Sequence, residues 1–285
     1  MITSAFVGLY LSGAILLRLI VNHRYAELHC HSSFSLLDGA SNPEELVARA
    51  SEIGLQALAL TDHDDLGGAV RFASASRDAC LEAIIGAEIT LCDHSHVVLL
   101  SMDEEGYKNI CRLITLSRFD NDRGFPRVSY EALFEHNQGL IVLSGCPHGM
   151  IPTLLARDDL QGARDLACLF REVFADRFYL ESWNHYLLQE QIIAARIIDL
   201  ASMEAIPWVV SNNVHYATSK KRIVHDVLTC LRHQTTLSQA GRRLRPNGSW
   251  YMKSPAEMMY LWRDNPAGLS RTLEVAERCL FRLGS

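Results

Sequence analysis

Histidines and carboxylates set where short apolar runs end are the residues best suited to chemistry in this chain. His29-Cys30-His31 closes the run 25–29. Residues i and i+2 of an extended segment point to one face, so both imidazoles can reach one ion. Thr61-Asp62-His63-Asp64 closes the run Ala57–Leu60, Gly86-Ala87-Glu88 brings a carboxylate to a third edge, and His96 stands just before 97–100. Cys146 follows Leu140–Leu143 and reads either as a ligand or as a buried structural thiol, with His148 the nearby substitute. Asn213 and His215 repeat the i, i+2 spacing after a late run, and His94 is taken as a surface residue. Singly, each has a plain explanation: a packed histidine, a solvated glutamate, an inert thiol. Together they place imidazoles, carboxylates and a thiol on one face. Such donors suit zinc, manganese or iron. A multinuclear cluster could bridge a phosphate, polarise it and generate hydroxide near neutral pH.

Bringing these groups together needs a repeated scaffold. Strands are expected at 25–29, 57–61, 83–85, 97–100, 140–144, 178–181 and 208–211, with helices near 104–116, 160–174 and 187–202. Ser41-Asn42-Pro43-Glu44-Glu45 starts another helix: a capping residue, proline in the first turn, then acids that suit the dipole. Leu46, Val47, Ala50 and Ile53 keep helical spacing, and Gly54 ends it. Leu160, Ala163, Ala167, Phe170 and Phe174 form a core stripe. Alternating strands and helices with buried strands imply a parallel α/β sheet. Polar groups clustered after strand carboxyl ends favour a barrel over an open sheet. Beyond Tyr216 the chain reads as helical and basic, with Asp226 the only acid between Ser219 and Arg245. Its Lys220, Lys221, Arg222, Arg232, Arg242, Arg243 and Arg245 form either a solvated face or a contact to nucleic acid or a polymerase.

Composition narrows the choices. The chain has 285 residues, 48% hydrophobic and 21% charged, enough for one or two ordinary globular domains. Its net charge of −6 argues against holding duplex DNA by its whole surface, so any nucleic-acid contact is local. No aromatic ladder suited to stacking a single strand is visible. Eight scattered cysteines without a CxxC pair read as reduced thiols in a cytoplasmic protein. Residues 2–21 are almost wholly apolar, interrupted by Arg18. That length is borderline for a membrane span of roughly 20 residues, and no signal-peptide cleavage pattern follows. A misassigned start, a packed helix and an anchor stay open for 1–24, with membrane attachment the least favoured.

The stretches YAELHCHSSFSLLDGA, ALALTDHDDLGGAVRF, IIGAEI, HVVLL, EEGYKNICRLI, GLIVLSGCPHG and NNVHYA resemble the N-terminal PHP (polymerase and histidinol phosphatase) domain of bacterial family-C DNA polymerases. These are the alpha subunits of replicative polymerase III and their error-prone relatives. HDVLTCLRHQTTL and NNVHYA are most similar to the error-prone branch. The likeness runs from about Tyr25 to near the C-terminus, in family order. It implies a distorted seven-stranded β/α barrel (25–218) and a helical extension (219–285). It further implies a trinuclear site with ligands at His29, His31, Asp38, His63, Glu88, His96, Cys146 and His215. Asn213 stands where many relatives have Asp; an amide oxygen can ligate but brings no charge. Two or three divalent ions, zinc, manganese or iron, are therefore expected, with Asp62 or Asp64 orienting a ligand imidazole or accepting a proton. Relatives run several times longer, and no polymerase carboxylate motif follows the barrel, so this chain is not expected to polymerise DNA by itself.

The expected activity is a metal-dependent phosphoesterase, as a 3′–5′ exonuclease on DNA ends or a pyrophosphate hydrolase. A structural module serving a polymerase core or replication-clamp assembly is the alternative from another class. A small-metabolite phosphatase is the third reading. The expected partners are DNA or a nucleotide phosphate.

Overall fold

Short apolar strands joined by amphipathic helices build one curled sheet. Its seven strands lie in chain order: β1 (Ala26–Glu27), β2 (Ala57–Leu60), β3 (Glu82–Thr90), β4 (His96–Ser101), β5 (Leu140–Leu143), β6 (Phe178–Ser182) and β7 (Trp208–Val210). The computed structural model describes residues 24–119 and 121–284. The apolar segment 2–21 lies outside the described residues. Strands β1, β2 and β3 pair in parallel, as do β5, β6 and β7. The expected all-parallel arrangement fails at β4, which runs antiparallel to both neighbours. Only residues 91–95 join β3 to β4, too few for the crossover of a dozen or more residues that a parallel pair requires.

Helices α1 (Pro43–Glu52), α2 (Ala69–Asp78), α3 (Glu104–Phe119), α4 (Tyr130–Glu135), α5 (Met150–Ala156), α6 (Leu160–Phe174) and α7 (Leu188–Glu204) surround the sheet. The start of α1 follows its sequence signal: the Asn42 side chain accepts from Glu45 N–H at 2.9 Å, and the Glu45 carboxylate accepts from Asn42 N–H at 3.1 Å. Alternate strand residues face opposite ways. Leu58, Leu60, Ile85, Leu99, Val142 and Leu180 pack outward under the helices. Ala59, Ile84, Val98, Leu100, Ile141 and Val209 fill the barrel interior. Ala163, Ala167, Phe170 and Phe174 of the α6 stripe are buried, whereas Leu160, at the helix start, is exposed.

The sheet curls until its ends meet. Cys30, beyond β1, bridges Val214, beyond β7. His31 N–H donates to Val214 O at 2.8 Å, and Val214 N–H to His29 O at 2.9 Å. Four later helices, α8 (Arg222–Arg232), α9 (Leu237–Ala240), α10 (Pro255–Leu261) and α11 (Ala267–Arg278), pack back onto the barrel. Helix α11 covers the remaining seam. Ala26 N–H donates to Thr272 Oγ1 at 3.3 Å, and Arg271 donates to Trp208 O at 2.8 Å, so backbone groups of both edge strands find partners. Gly268 permits this approach, since an added Cβ would lie 2.1 Å from the Trp208 ring. Gly268→Ala is therefore expected to destabilise the chain by about 1–3 kcal/mol. Denaturant midpoints check this; an unchanged midpoint would mean that the indole gives way freely.

Candidate metal centre

Strand ends of opposite sense converge on one mouth. His29 and His31 follow β1, His63 follows β2, Cys146 follows β5, and Asn213 and His215 follow β7. Because β4 runs backwards, its first residue, His96, arrives at the same mouth. Glu88 lies inside β3 rather than after it, bridged in parallel to His63. Asp38 comes from the loop before α1. There Asp38 N–H donates to Ser35 O at 3.0 Å, and a Cβ on Gly39 would lie 1.7 Å from Ser32 O, so the turn closes only with glycine.

Glu88 joins two groups of donors. Its Oε2 lies 2.7 Å from His29 Nε2, 3.1 Å from His31 Nε2 and 3.8 Å from His63 Nδ1. Its Oε1 meets His96 Nδ1 and, at 3.1 Å, Cys146 Sγ. One buried carboxylate thus serves His29 with His31 on one side and His63 with His96 on the other. Cys146, not the exposed His148, sets its donor atom against Glu88; His148 lines the rim, and His94 is exposed.

Asp38 organises a third group. Its Oδ2 lies 3.0 Å from His63 Nε2 and 3.1 Å from His215 Nδ1, and its Oδ1 lies 3.5 Å from His225 Nε2 and 3.1 Å from Arg232 Nη1. Asn213 lines the same cleft in a left-handed conformation (φ 43°), and its Oδ1 is buried without a hydrogen-bond partner. The cleft holds about 140 Å³. A larger one of about 390 Å³ lies at the far end of β3 beside Glu82, but no histidine lines it.

Asp62 and Asp64 do not reach the cleft. The Asp62 carboxylate accepts from Ser32 N–H at 2.6 Å, Ser32 Oγ at 2.7 Å and Ser35 Oγ at 2.7 Å. Ser35 Oγ in turn lies 3.2 Å from His31 Nδ1, so Asp62 orients His31 through a serine and leaves Nε2 facing Glu88. Asp64 accepts from Thr90 N–H at 2.9 Å and Thr90 Oγ1 at 2.7 Å, which fixes the end of β3. Neither is placed to exchange a proton with a molecule in the cleft. On the other side, Glu181 of β6 holds His29 Nδ1 at 2.8 Å. Glu181→Ala is expected to weaken metal affinity roughly 10- to 100-fold, the usual effect of losing a carboxylate behind a ligating imidazole. A metal titration by calorimetry checks this; unchanged affinity would make Glu181 a bystander.

Electrostatics suit cations. Burial opposes charge on His29, but Glu181 and Glu88 outweigh it and push its pKa up to about 10. Burial also opposes charge on His63, yet Glu88 and Asp38 raise it to about 9. Burial and the neighbouring His63 push His31 down to about 3, leaving a neutral imidazole. Burial alone would raise Glu88 and Asp38, but the surrounding imidazoles hold both well below the usual carboxylate range. Two protons thus sit where divalent ions would. Buried charges of this kind are costly unless paired, and Asn213, which lines the same cleft, has its side-chain oxygen buried without a partner. Imidazole, carboxylate and thiol donors, with one carboxylate shared between two groups, fit divalent metal ions.

His225 and Glu181 are site residues that the sequence reading passed over. The signals were present. Helix α8 buries His225, Asp226 and Thr229 while exposing Ile223, Val224, Val227 and Leu231, the reverse of an ordinary core helix. Glu181 is a carboxylate inside an otherwise buried strand run.

The PHP domain family matches residues 27–185. An error-prone DNA polymerase of Symbiobacterium thermophilum is 38% identical over 271 residues, 90% of this chain and 25% of that protein. A DNA polymerase III subunit alpha of Treponema pallidum is 34% identical over 274 residues, 91% of this chain and 23% of that protein. The chain thus spans about a quarter of the length of these curated relatives. Among solved structures, an amidohydrolase from Chromobacterium violaceum with bound sulfate is 16% identical, with TM-score 0.46 over 67% of this chain and 88% of that one. A two-domain Bacteroides vulgatus protein, described as containing a predicted PHP-like metal-dependent phosphoesterase, is 17% identical, with TM-score 0.47 over 67% of this chain and 52% of that one.

Proposed function

Because this chain belongs to the PHP domain family, we propose that it is a metal-dependent phosphoesterase that hydrolyses phosphodiesters at DNA 3′ ends. The observation that carries this reading is Glu88, one buried carboxylate shared by two groups of imidazoles at the mouth of the barrel. His29, His31, Glu88, His63, His96 and Cys146 would hold the ions, with Asp38, Asn213 and His215 beside them. When bound, divalent ions supply Lewis acidity toward phosphoryl oxygens and a hydroxide nucleophile near neutral pH. The chain's own residues do the rest. Glu181 and the Asp62–Ser35 pair fix the two β1 imidazoles. Arg232 and Arg245 line the cleft and set positive charge against a phosphate. At about 140 Å³ the cleft is small, which suits a phosphate entering end-on with its nucleoside outside. Asp62 and Asp64 act in this reading by positioning rather than by proton transfer. Residues 25–218 serve as the metal-binding barrel; of the extension 219–285, Arg232 and Arg245 reach its mouth and α11 covers its seam.

Two observations favour the structural alternative. Asn213 brings no charge to the centre, and α8 presents Ile223, Val224, Val227 and Leu231 to solvent, a face suited to a covering partner such as a polymerase core or clamp assembly. The DNA polymerase names of the relatives support a cytoplasmic setting as part of this reading. Among the described residues no helix is long and apolar enough to cross a membrane.

The deciding experiment pairs elemental analysis with manganese-supplemented cleavage assays on the wild type and His29→Ala. Bound metal with cleavage that the substitution abolishes is expected. A metal-loaded chain that cleaves neither single-stranded DNA, nor phosphomonoesters, nor pyrophosphate would sink the enzymatic reading and leave the structural one. Cleavage of phosphomonoesters or pyrophosphate without DNA would instead select the small-molecule phosphatase.

A further inference from the structure

We propose that the guanidinium of Arg245 occupies the third cation position of this centre, so that the chain holds two divalent ions and not three. The proposal rests on the metal-centre reading above. The three donor groups are His29 with His31 and Glu88, His63 with His96 and Glu88, and Asp38 with His215 and His225. Among the described residues, no arginine or lysine donates to the first two groups.

The third group is different. Arg245 Nη2 donates to His215 Nε2 at 2.7 Å, and Arg245 Nε donates to His225 Nε2 at 3.2 Å. A guanidinium only donates and stays charged, so each accepting nitrogen has its lone pair taken. A neutral imidazole has one bare nitrogen. His215 therefore carries its proton on Nδ1, which lies 3.1 Å from Asp38 Oδ2, outside hydrogen-bond geometry, and has no lone pair left for a metal. Arg232 binds the other Asp38 oxygen at 3.1 Å. One carboxylate thus faces two guanidinium groups, and Asn213, the remaining oxygen donor, adds no charge. A dication placed there would meet like charge within a few ångströms in a poorly solvated site.

Arg245 is also built in rather than loosely placed. It lies 4.5 Å over the ring of Trp250, which is buried and stacked 4.0 Å from His185. In this position it supplies charge toward a phosphate oxygen but no coordination.

The test is a manganese count on the full chain, by elemental analysis after removal of free metal and by calorimetric titration. The wild type and Arg245→Lys, which keeps the cation, are expected to hold two ions, and Arg245→Gln three. Three ions in the wild type or in Arg245→Lys would overturn the proposal, as would a folded Arg245→Gln that still holds two. Should Arg245→Gln fail to fold, the other two counts decide. A wild type that binds no metal would instead defeat the metal-centre reading itself.

Discussion

Glu88→Gln is expected to empty both metal positions together and to lower phosphoester cleavage by about 10³-fold or more. The reasoning starts from the oxygens. Oε2 faces His29 and His31 and lies 3.8 Å from His63, while Oε1 faces His96 and Cys146, so both oxygens are engaged and the carboxylate spans two groups of donors. An amide keeps the shape of the side chain but offers one oxygen and no charge. Whichever way it turns, one engaged oxygen is lost, and both groups lose the charge that offsets two dications. Metal assistance contributes several kcal/mol to such a reaction, and each ~1.4 kcal/mol is a factor of ten in rate. Single-turnover cleavage with elemental analysis of the same sample checks this. A Glu88→Gln protein that keeps its metal and its rate would remove Glu88 from the centre. Substitution of the exposed Glu104 is the control for charge alone and should change neither reading.

How much of this was legible in the sequence depends on the distance over which each contact is decided. His29 and His31 could be paired from their spacing because an extended chain sends i and i+2 to one side. His63 and His215 could be placed because they follow apolar runs. Asp38 was legible only through its motif, since its position depends on the turn that Gly39 allows to close against Ser32. The sense of β4 was misread because a buried parallel strand and a buried antiparallel strand show the same apolar run; the short link 91–95 was the available clue. That error hid why His96, which precedes its strand, shares a mouth with residues that follow theirs. Asp62 was noticed for its place beside His63, but its carboxylate is engaged by Ser32 and Ser35, partners that come from a different loop. His225 and Glu181 leave only faint signals, polar residues set in apolar patterns, and their roles, like that of Arg245, could not be assigned from them. They act only once β6 lies beside β7 and the segment after β7 has folded back over the mouth, and neither step leaves a local periodicity.

Removing the metals is expected to lower the melting temperature by on the order of 10 °C at pH 7, and by more at pH 9. Two sites filled at about a hundred times their dissociation constants stabilise by roughly 5 kcal/mol, and a chain of this size shifts by about 2 °C per kcal/mol. The pH dependence follows from the imidazoles. In the metal-free chain His29 and His63 are raised above the ordinary histidine value, to about 10 and about 9, by Glu181, Glu88 and Asp38. A group raised on folding contributes stability that is complete below its unfolded pKa, near 6.5, and is lost as pH climbs through its folded value. The metal-free chain therefore weakens between pH 7 and 10. Metal binding must displace those same protons, a cost that shrinks over the same interval. These are one linkage seen from two sides: the gap between loaded and stripped protein widens as pH rises by the stability that the stripped form loses, and taking the difference at each pH cancels titrations common to the two forms. Calorimetric melts with and without chelator at pH 7, 8 and 9 provide the measurement. A gap that stays constant or narrows would mean that His29 and His63 do not give up protons to the metals.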